Sequence, residues 1–161
     1  MSITIRQARP ADAQAIFDMI YELAVYEKAP EEVVTTAEEI RTTLFAADSK
    51  TEALICEADD AIVGYAVFFT SYSTWLGRNG IYLEDLYISP EARGFGAGKA
   101  LIKHIAQLAV QRNCGRLEWS VLDWNQPAID FYKSIGALPQ SEWVRYRLDG
   151  DALLNFAEDA K

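Results

Sequence analysis

The sequence predicts an α/β protein in which helices and strands interleave around a sheet. Three observations carry this. Runs with period-two apolar alternation and β-branched or aromatic residues are separated by runs with apolar residues at helical spacing. Asp59-Asp60 joins two of the strand-like runs as a tight hairpin. A glycine-rich connection, Gly94 to Gly98, leads from a strand directly into an amphipathic helix. At 161 residues the chain fits one domain, 1–161, with a core of its own.

The elements follow in order. Ile3 to Gln7 reads as a strand. Pro10 and Asp12 open a helix whose apolar positions 13, 16, 17, 20, 23 and 24 form one stripe, ending near Glu27. A loop carries Pro30, and Thr35 or Thr36 caps a second helix to about Ala47, with Glu38 and Glu39 in its first turn. Ala53 to Glu57 and Ile62 to Thr70 are the hairpin strands, and Ile81 to Ile88 is the central strand. Gly96 to Arg112 forms the third helix, with Ala97, Leu101, Ile105 and Leu108 on one face. Arg116 to Val121 is a strand. Asn125 caps a helix with Pro127 in its first turn, where a missing N–H costs nothing, and Gly136 ends it. Val144 to Leu148 reads as a last strand.

Composition excludes several function classes. The net charge of −9 argues against a nucleic-acid partner, which needs a basic face, and is compatible with a cationic one. No apolar run approaches a membrane span, and MSITIRQARP lacks the apolar core of a signal peptide, so a cytoplasmic protein without a membrane partner is expected. Cys56 and Cys114 have no histidine near them in sequence, so neither a disulfide nor a metal site is expected. His104, the only histidine, falls within the third helix and reads as a packing residue rather than a catalyst.

The chemistry concentrates in Tyr82 to Leu101, YLEDLYISPEARGFGAGKAL. Glycines between a strand and a helix let backbone N–H groups close around an anion, and the helix N-terminus adds partial positive charge. Two common phosphate seats are excluded by spacing. A dinucleotide fingerprint counted from Gly94 or Gly96 needs glycine where Lys99 or Leu101 stands. A Walker A loop ending at Gly98-Lys99 needs glycine at Arg93 and Ser or Thr at Ala100. What remains is Arg-x-x-Gly-x-Gly, Arg93 to Gly98. It resembles the coenzyme A pyrophosphate loop of the GNAT superfamily of acyl-CoA-dependent N-acyltransferases. A second block, Trp124-Asn125 through Phe131-Tyr132-Lys133 to Gly136-Ala137, resembles another recurrent GNAT feature.

The resemblance implies a mixed, mostly antiparallel twisted sheet with helices on both faces, splayed between its fourth and fifth strands. Acetyl-CoA would lie in that opening as cosubstrate, with no metal. Its binding residues would be Leu86, Tyr87 and Ile88 of the central strand, the loop Arg93, Gly94, Phe95, Gly96, Ala97, Gly98 and Lys99, and Asn125, Ala128, Tyr132 and Lys133 downstream. The Leu86 N–H would polarise the thioester carbonyl. Tyr132 would sit near the sulfur; a phenol is protonated at neutral pH and can give a proton to a leaving thiolate, although packing alone would also explain it. In the central strand, alternation places Leu83, Asp85 and Tyr87 on one face and Glu84, Leu86 and Ile88 on the other. Glu84 would draw a proton from the acceptor amine; an ion pair with Arg116 or Arg145 is the competing role. With no cysteine placed to take the acyl group, transfer would be direct, in a ternary complex.

The likeness sharpens over nearly the whole chain. Glu22-Leu23-Ala24 with Tyr26-Glu27, the Trp75-Leu76-Gly77 loop and Tyr82-Leu83-Glu84-Asp85 resemble the diamine acetyltransferases, which act on spermidine, spermine and thialysine. That implies a small cationic amine substrate in a groove lined by Tyr26, Glu27, Glu84, Glu142 and Trp75, and a homodimer whose partner completes the groove. An acyl-CoA-binding sensor without catalysis and a protein or peptide N-acetyltransferase are the alternatives.

Overall fold

The computed structural model describes residues 1–158, which fall into two compact units, Met1–Leu122 and the segment from Asp123 onward. The first unit holds a five-stranded mixed sheet in the order β1-β2-β3-β4-β5. The strands are β1 (Ile3–Gln7), β2 (Thr51–Ala58), β3 (Ala61–Ser73), β4 (Arg78–Ile88) and β5 (Leu117–Trp119). β1 to β4 pair antiparallel, and β5 joins β4 in parallel. Helices α1 (Ala13–Tyr26), α2 (Ala37–Leu44) and α3 (Ala97–Gln111) pack on the sheet.

The ladder registers decide which side chains share a face. Ala53, Val67 and Asp85 form one row and Ile55, Tyr65 and Tyr87 the next. These rows meet Ile16, Met19, Ile20 and Leu23 of α1 and Ile40 and Leu44 of α2 in the main core. The alternate rows, Leu54-Ala66-Leu86 and Cys56-Gly64-Ile88, face α3. Gly64 is required there: a Cβ would stand 2.5 Å from Ile88 Cδ1 and 2.6 Å from the Tyr87 carbonyl oxygen. At the rim, Arg6 holds buried Asp12 through two bonds of 2.8 and 2.9 Å and Glu57 through one of 3.0 Å, tying β1, the start of α1 and β2 together. The guanidinium holds the Asp12 carboxyl below its usual range.

Local chemistry explains the boundaries. Asp59 and Asp60 take φ of 51° and 68°, as a two-residue turn matching strand twist demands. The Thr36 hydroxyl accepts from the Glu39 N–H at 3.1 Å and caps α2.

The second unit contains α4 (Gln126–Ser134) and α5 (Gly150–Glu158). Asn125 Oδ1 accepts from the Ala128 N–H at 3.4 Å, and Gly136 leaves α4 at φ 91°. Two expectations are corrected here. Val144–Leu148 alternates as a strand would, yet no strand forms over it. A strand exists only through ladder bonds, and no pairing involves this segment among the described residues. The strand expected over Arg116–Val121 is shorter, Leu117–Trp119, because pairing to β4 ends there. Helix α5 lies beyond the elements that the sequence predicts.

Candidate active site

The site begins at a β-bulge in β4. Phe68 pairs with Leu83 and its neighbour Val67 with Asp85, so Glu84 is an extra residue with no partner on β3. The bulge resets alternation. Leu83 shares the α3 face with Phe68, whereas Asp85 and Tyr87 share the α1 face, which corrects the expectation that all three lie together. Glu84 is exposed and makes no ion pair among the described residues.

Beyond the bulge the sheet parts. β5 follows β4 for three rungs only, Ile81 with Leu117, Tyr82 with Glu118 and Leu83 with Trp119. β4 continues to Ile88, paired among the described residues on its β3 side alone. Among the described residues the backbone groups of 84–88 on the other side therefore have no ladder partner, which is an edge onto which an extended amide-bearing chain can add. Leu86, Tyr87 and Ile88 lie along this edge.

The edge runs into the glycine loop. A 3-10 turn, Pro90–Ala92, is followed by Arg93, then Gly94 at φ 88° and Gly96 at φ 81°, and Ala97 opens α3. Both φ values lie in the left-handed region that side chains resist. Among the described residues no side chain caps α3, so its first N–H groups stay available to an anion. Phe95 and Lys99 are exposed around it, Ala97 is buried, and Gly98 lies 3.8 Å (as a built Cβ) from Ile88 Cγ1.

On the opposite face, the end of α1 brings Tyr26 and Glu27 to the same strand. Burial pushes the Glu27 carboxyl above its ordinary range, and the charge of Asp85 adds to this. Asp85 is raised as well, by burial first; the Tyr65 hydroxyl, donating to Oδ2 at 2.9 Å, opposes that shift, and Glu84 reinforces it. Tyr65 is wholly buried and its phenol lies far above the usual value, because burial and Asp85 both disfavour phenolate. Asp85 also lines a cavity of about 250 Å³ with Ile16, Ile20, Ile40, Leu44 and Val67. Sequence reasoning left Asp85 out of the site. The signal was present, since two adjacent carboxylates in an apolar strand are costly unless used or paired.

Arg93 joins the two faces. Its Nε donates to the Ile88 carbonyl at 2.9 Å, and its guanidinium lies 5.7 Å from the Tyr26 ring centre and 5.5 Å from that of Tyr87. Tyr26, Tyr87, Arg93 and Ile88 thus form one contact group, with Glu27 following Tyr26 and Asp85 near Glu27. Trp75 stands elsewhere, in the β3–β4 hairpin at the far end of β4 from the glycine loop, with the Arg116 guanidinium 6.0 Å from its ring.

The remaining candidates lie in the second unit. Asn125 caps α4, Ala128 is in its first turn, and half-buried Tyr132 packs beside Phe131 with ring centres 5.7 Å apart. Lys133 and Glu142 are exposed. Among the described residues no group of His, Cys, Asp and Glu is arranged to hold a metal, and no helix is long and apolar enough to cross a membrane.

Comparison with known proteins matches residues 15–137 to the acetyltransferase (GNAT) family. Thialysine N-epsilon-acetyltransferase of Sus scrofa is 39% identical, over 97% of this chain and 98% of its own length. Spermidine/spermine N(1)-acetyltransferase-like protein 1 of Homo sapiens is 31% identical over 95% of this chain, which spans 23% of that longer protein. Among solved structures, an integron cassette protein from the mobile metagenome of V. cholerae superposes with a TM-score of 0.83, 28% identical and covering 99% of both chains.

Proposed function

The chain belongs to the acetyltransferase (GNAT) family, and we propose that it transfers an acetyl group from acetyl-CoA to a primary amine of a small cationic acceptor, a diamine, polyamine or thialysine-like compound. The observation that carries this is the parted edge of β4 running into two left-handed glycines and the uncapped start of α3. The family uses acetyl-CoA as cosubstrate, and these residues fit it: a strand edge for the amide-bearing arm and a ring of N–H groups for the pyrophosphate. Names of relatives, thialysine and spermidine/spermine acetyltransferases, support the acceptor class.

Acetyl-CoA supplies the acetyl group as a thioester, whose C–S bond breaks as the amide C–N bond forms. Leu86, Tyr87 and Ile88 offer main-chain groups to the arm, and the Leu86 N–H donates to the carbonyl oxygen where negative charge develops. The loop Arg93, Gly94, Phe95, Gly96, Ala97, Gly98 and Lys99 holds the pyrophosphate. Asn125, Ala128 and Lys133 add contacts from α4. Glu84, exposed at the bulge, takes the proton from the acceptor ammonium, directly or through water, freeing its lone pair. Tyr132 gives a proton to the leaving thiolate, and the second proton that the nitrogen loses as the amide forms restores the phenol. Tyr26, Glu27 and Glu142 line the amine groove, and Trp75, at the opposite end of β4 from Tyr26 and Glu27, is left out of it.

This reading treats 1–161 as one domain, supported by a family match, 15–137, that crosses the boundary between the two units. It includes a homodimer, supported by the exposed apolar side chains of the second unit, such as Trp143 at 67%, Val144 at 77% and Tyr146 at 92%. It also includes a cytoplasmic location, and neither a nucleic-acid nor a membrane partner, in keeping with the net charge of −9.

The test is thiol release from acetyl-CoA with spermidine, spermine, putrescine, thialysine, lysine, an aminoglycoside and a basic peptide. Turnover confined to the small amines is the expected result. Acetyl-CoA binding without turnover favours the sensor, and turnover of the peptide alone favours a protein acetyltransferase.

A further inference from the structure

We infer that Arg93 is a positioning residue for the acceptor as well as part of the cofactor loop, and that its guanidinium fixes Tyr26 in place. The inference rests on the proposed role of Tyr26 in the amine groove. Arg93 enters Gly94 with extended backbone, φ −74° and ψ 152°, so its main chain belongs to the loop. Its side chain turns back to the sheet, where Nε donates to the Ile88 carbonyl at 2.9 Å. That bond anchors the stem and leaves the guanidinium in reach of two rings.

The rings are unequal. Tyr87 is 5% exposed, seated in the core, and its hydroxyl reaches toward Glu22 at 3.4 Å. Tyr26 is 40% exposed, the last residue of α1, with Lys28 two residues on at φ 64°. Arg93 therefore spans from a fixed ring to one on a helix terminus, at 5.5 and 5.7 Å from the respective centres. Each distance is within cation–π range, and only a planar guanidinium combines this with the Nε bond; a lysine ammonium does not. Because Glu27 follows Tyr26, holding that tyrosine also registers the carboxylate that would meet the ammonium. The two substrates are thereby read by one side chain and its own backbone.

The test combines Arg93→Lys, Tyr26→Leu and the double variant in steady-state kinetics. Each single change is expected to raise the acceptor KM roughly three- to tenfold, the scale of one such contact, and the double change no more than the larger single one. Arg93→Lys also raises the acetyl-CoA KM, by the same factor whether or not Tyr26 is present. Acceptor effects that multiply overturn the inference. A urea double-mutant cycle on the same variants reads the contact without turnover. Zero coupling there overturns the clamp itself. Clear coupling in a protein that turns over no amine leaves the clamp standing, removes its acceptor role and counts against the proposed activity.

Discussion

Tyr65 donates its phenolic hydrogen to Asp85 across 2.9 Å, from a ring with no solvent exposure to a carboxylate held mostly out of water. Burial still outweighs that bond, so the folded state holds the Asp85 proton more tightly than the unfolded chain does. As pH rises from the ordinary carboxylate value of 3.8 toward the raised folded one, the unfolded chain gives up its proton first. Stability is therefore lost on raising the pH through that window and regained on acidification; Glu27 acts with the same sign. Asp85→Asn keeps an acceptor for Tyr65 and removes the charge. Its urea midpoint relative to the parent should rise with pH across the window, and a flat difference would show that Asp85 carries no such burden. Tyr65→Phe should cost about 1–3 kcal/mol at neutral pH, the penalty of a buried acceptor losing its donor, and less in the Asp85→Asn background.

Gly64→Ala places a methyl against the Tyr87 carbonyl, which cannot move without the ladder. A loss of about 1–3 kcal/mol is expected from chemical denaturation. If β4 shifts to make room, acetyl-CoA affinity falls as well.

Gly94→Ala forces an alanine to φ 88°, a conformation costing roughly 1–2 kcal/mol. With nothing near the new methyl, the fold tolerates it and the loop geometry suffers. The acetyl-CoA KM should rise about tenfold or more, the acceptor KM far less, in initial-rate measurements.

Tyr132→Phe removes the proposed proton donor and keeps the ring beside Phe131. Turnover is expected to drop roughly 10²–10⁴-fold, with acetyl-CoA binding by calorimetry nearly intact. Unchanged turnover assigns Tyr132 to packing.

Glu27→Gln removes a partly desolvated charge at the end of α1. The acceptor KM should rise more than that for acetyl-CoA; equal shifts in both would argue against a cation groove.

Much of this was legible in the residues. Asp59-Asp60 announces its hairpin because so few residue pairs tolerate positive φ, and Gly94 and Gly96 announce the loop for the same reason. The bulge was not legible, because Leu83-Glu84-Asp85 reads as ordinary alternation and only the register with β3 exposes the extra residue. With the bulge went the standing of Asp85, whose partner Tyr65 is 20 residues away in sequence. Val144–Leu148 shows the reverse error: its pattern suits a strand, but pattern does not supply a neighbour. Helix α5 leaves a fainter trace, Leu153, Leu154 and Phe156 following Asp149 and Gly150 in a short segment at the end of the described residues.

The parting of β4 from β5 also bears on handling the protein. Unpaired strand groups are a template for any extended chain, a neighbouring copy included. A small molecule lying in the gap occupies that template and, bound only by the folded form, adds about 2.7 kcal/mol when present at a hundred times its dissociation constant. Coenzyme A in the purification buffer should therefore serve as a stabiliser and anti-aggregant, raising both melting temperature and shelf life before any reaction is run.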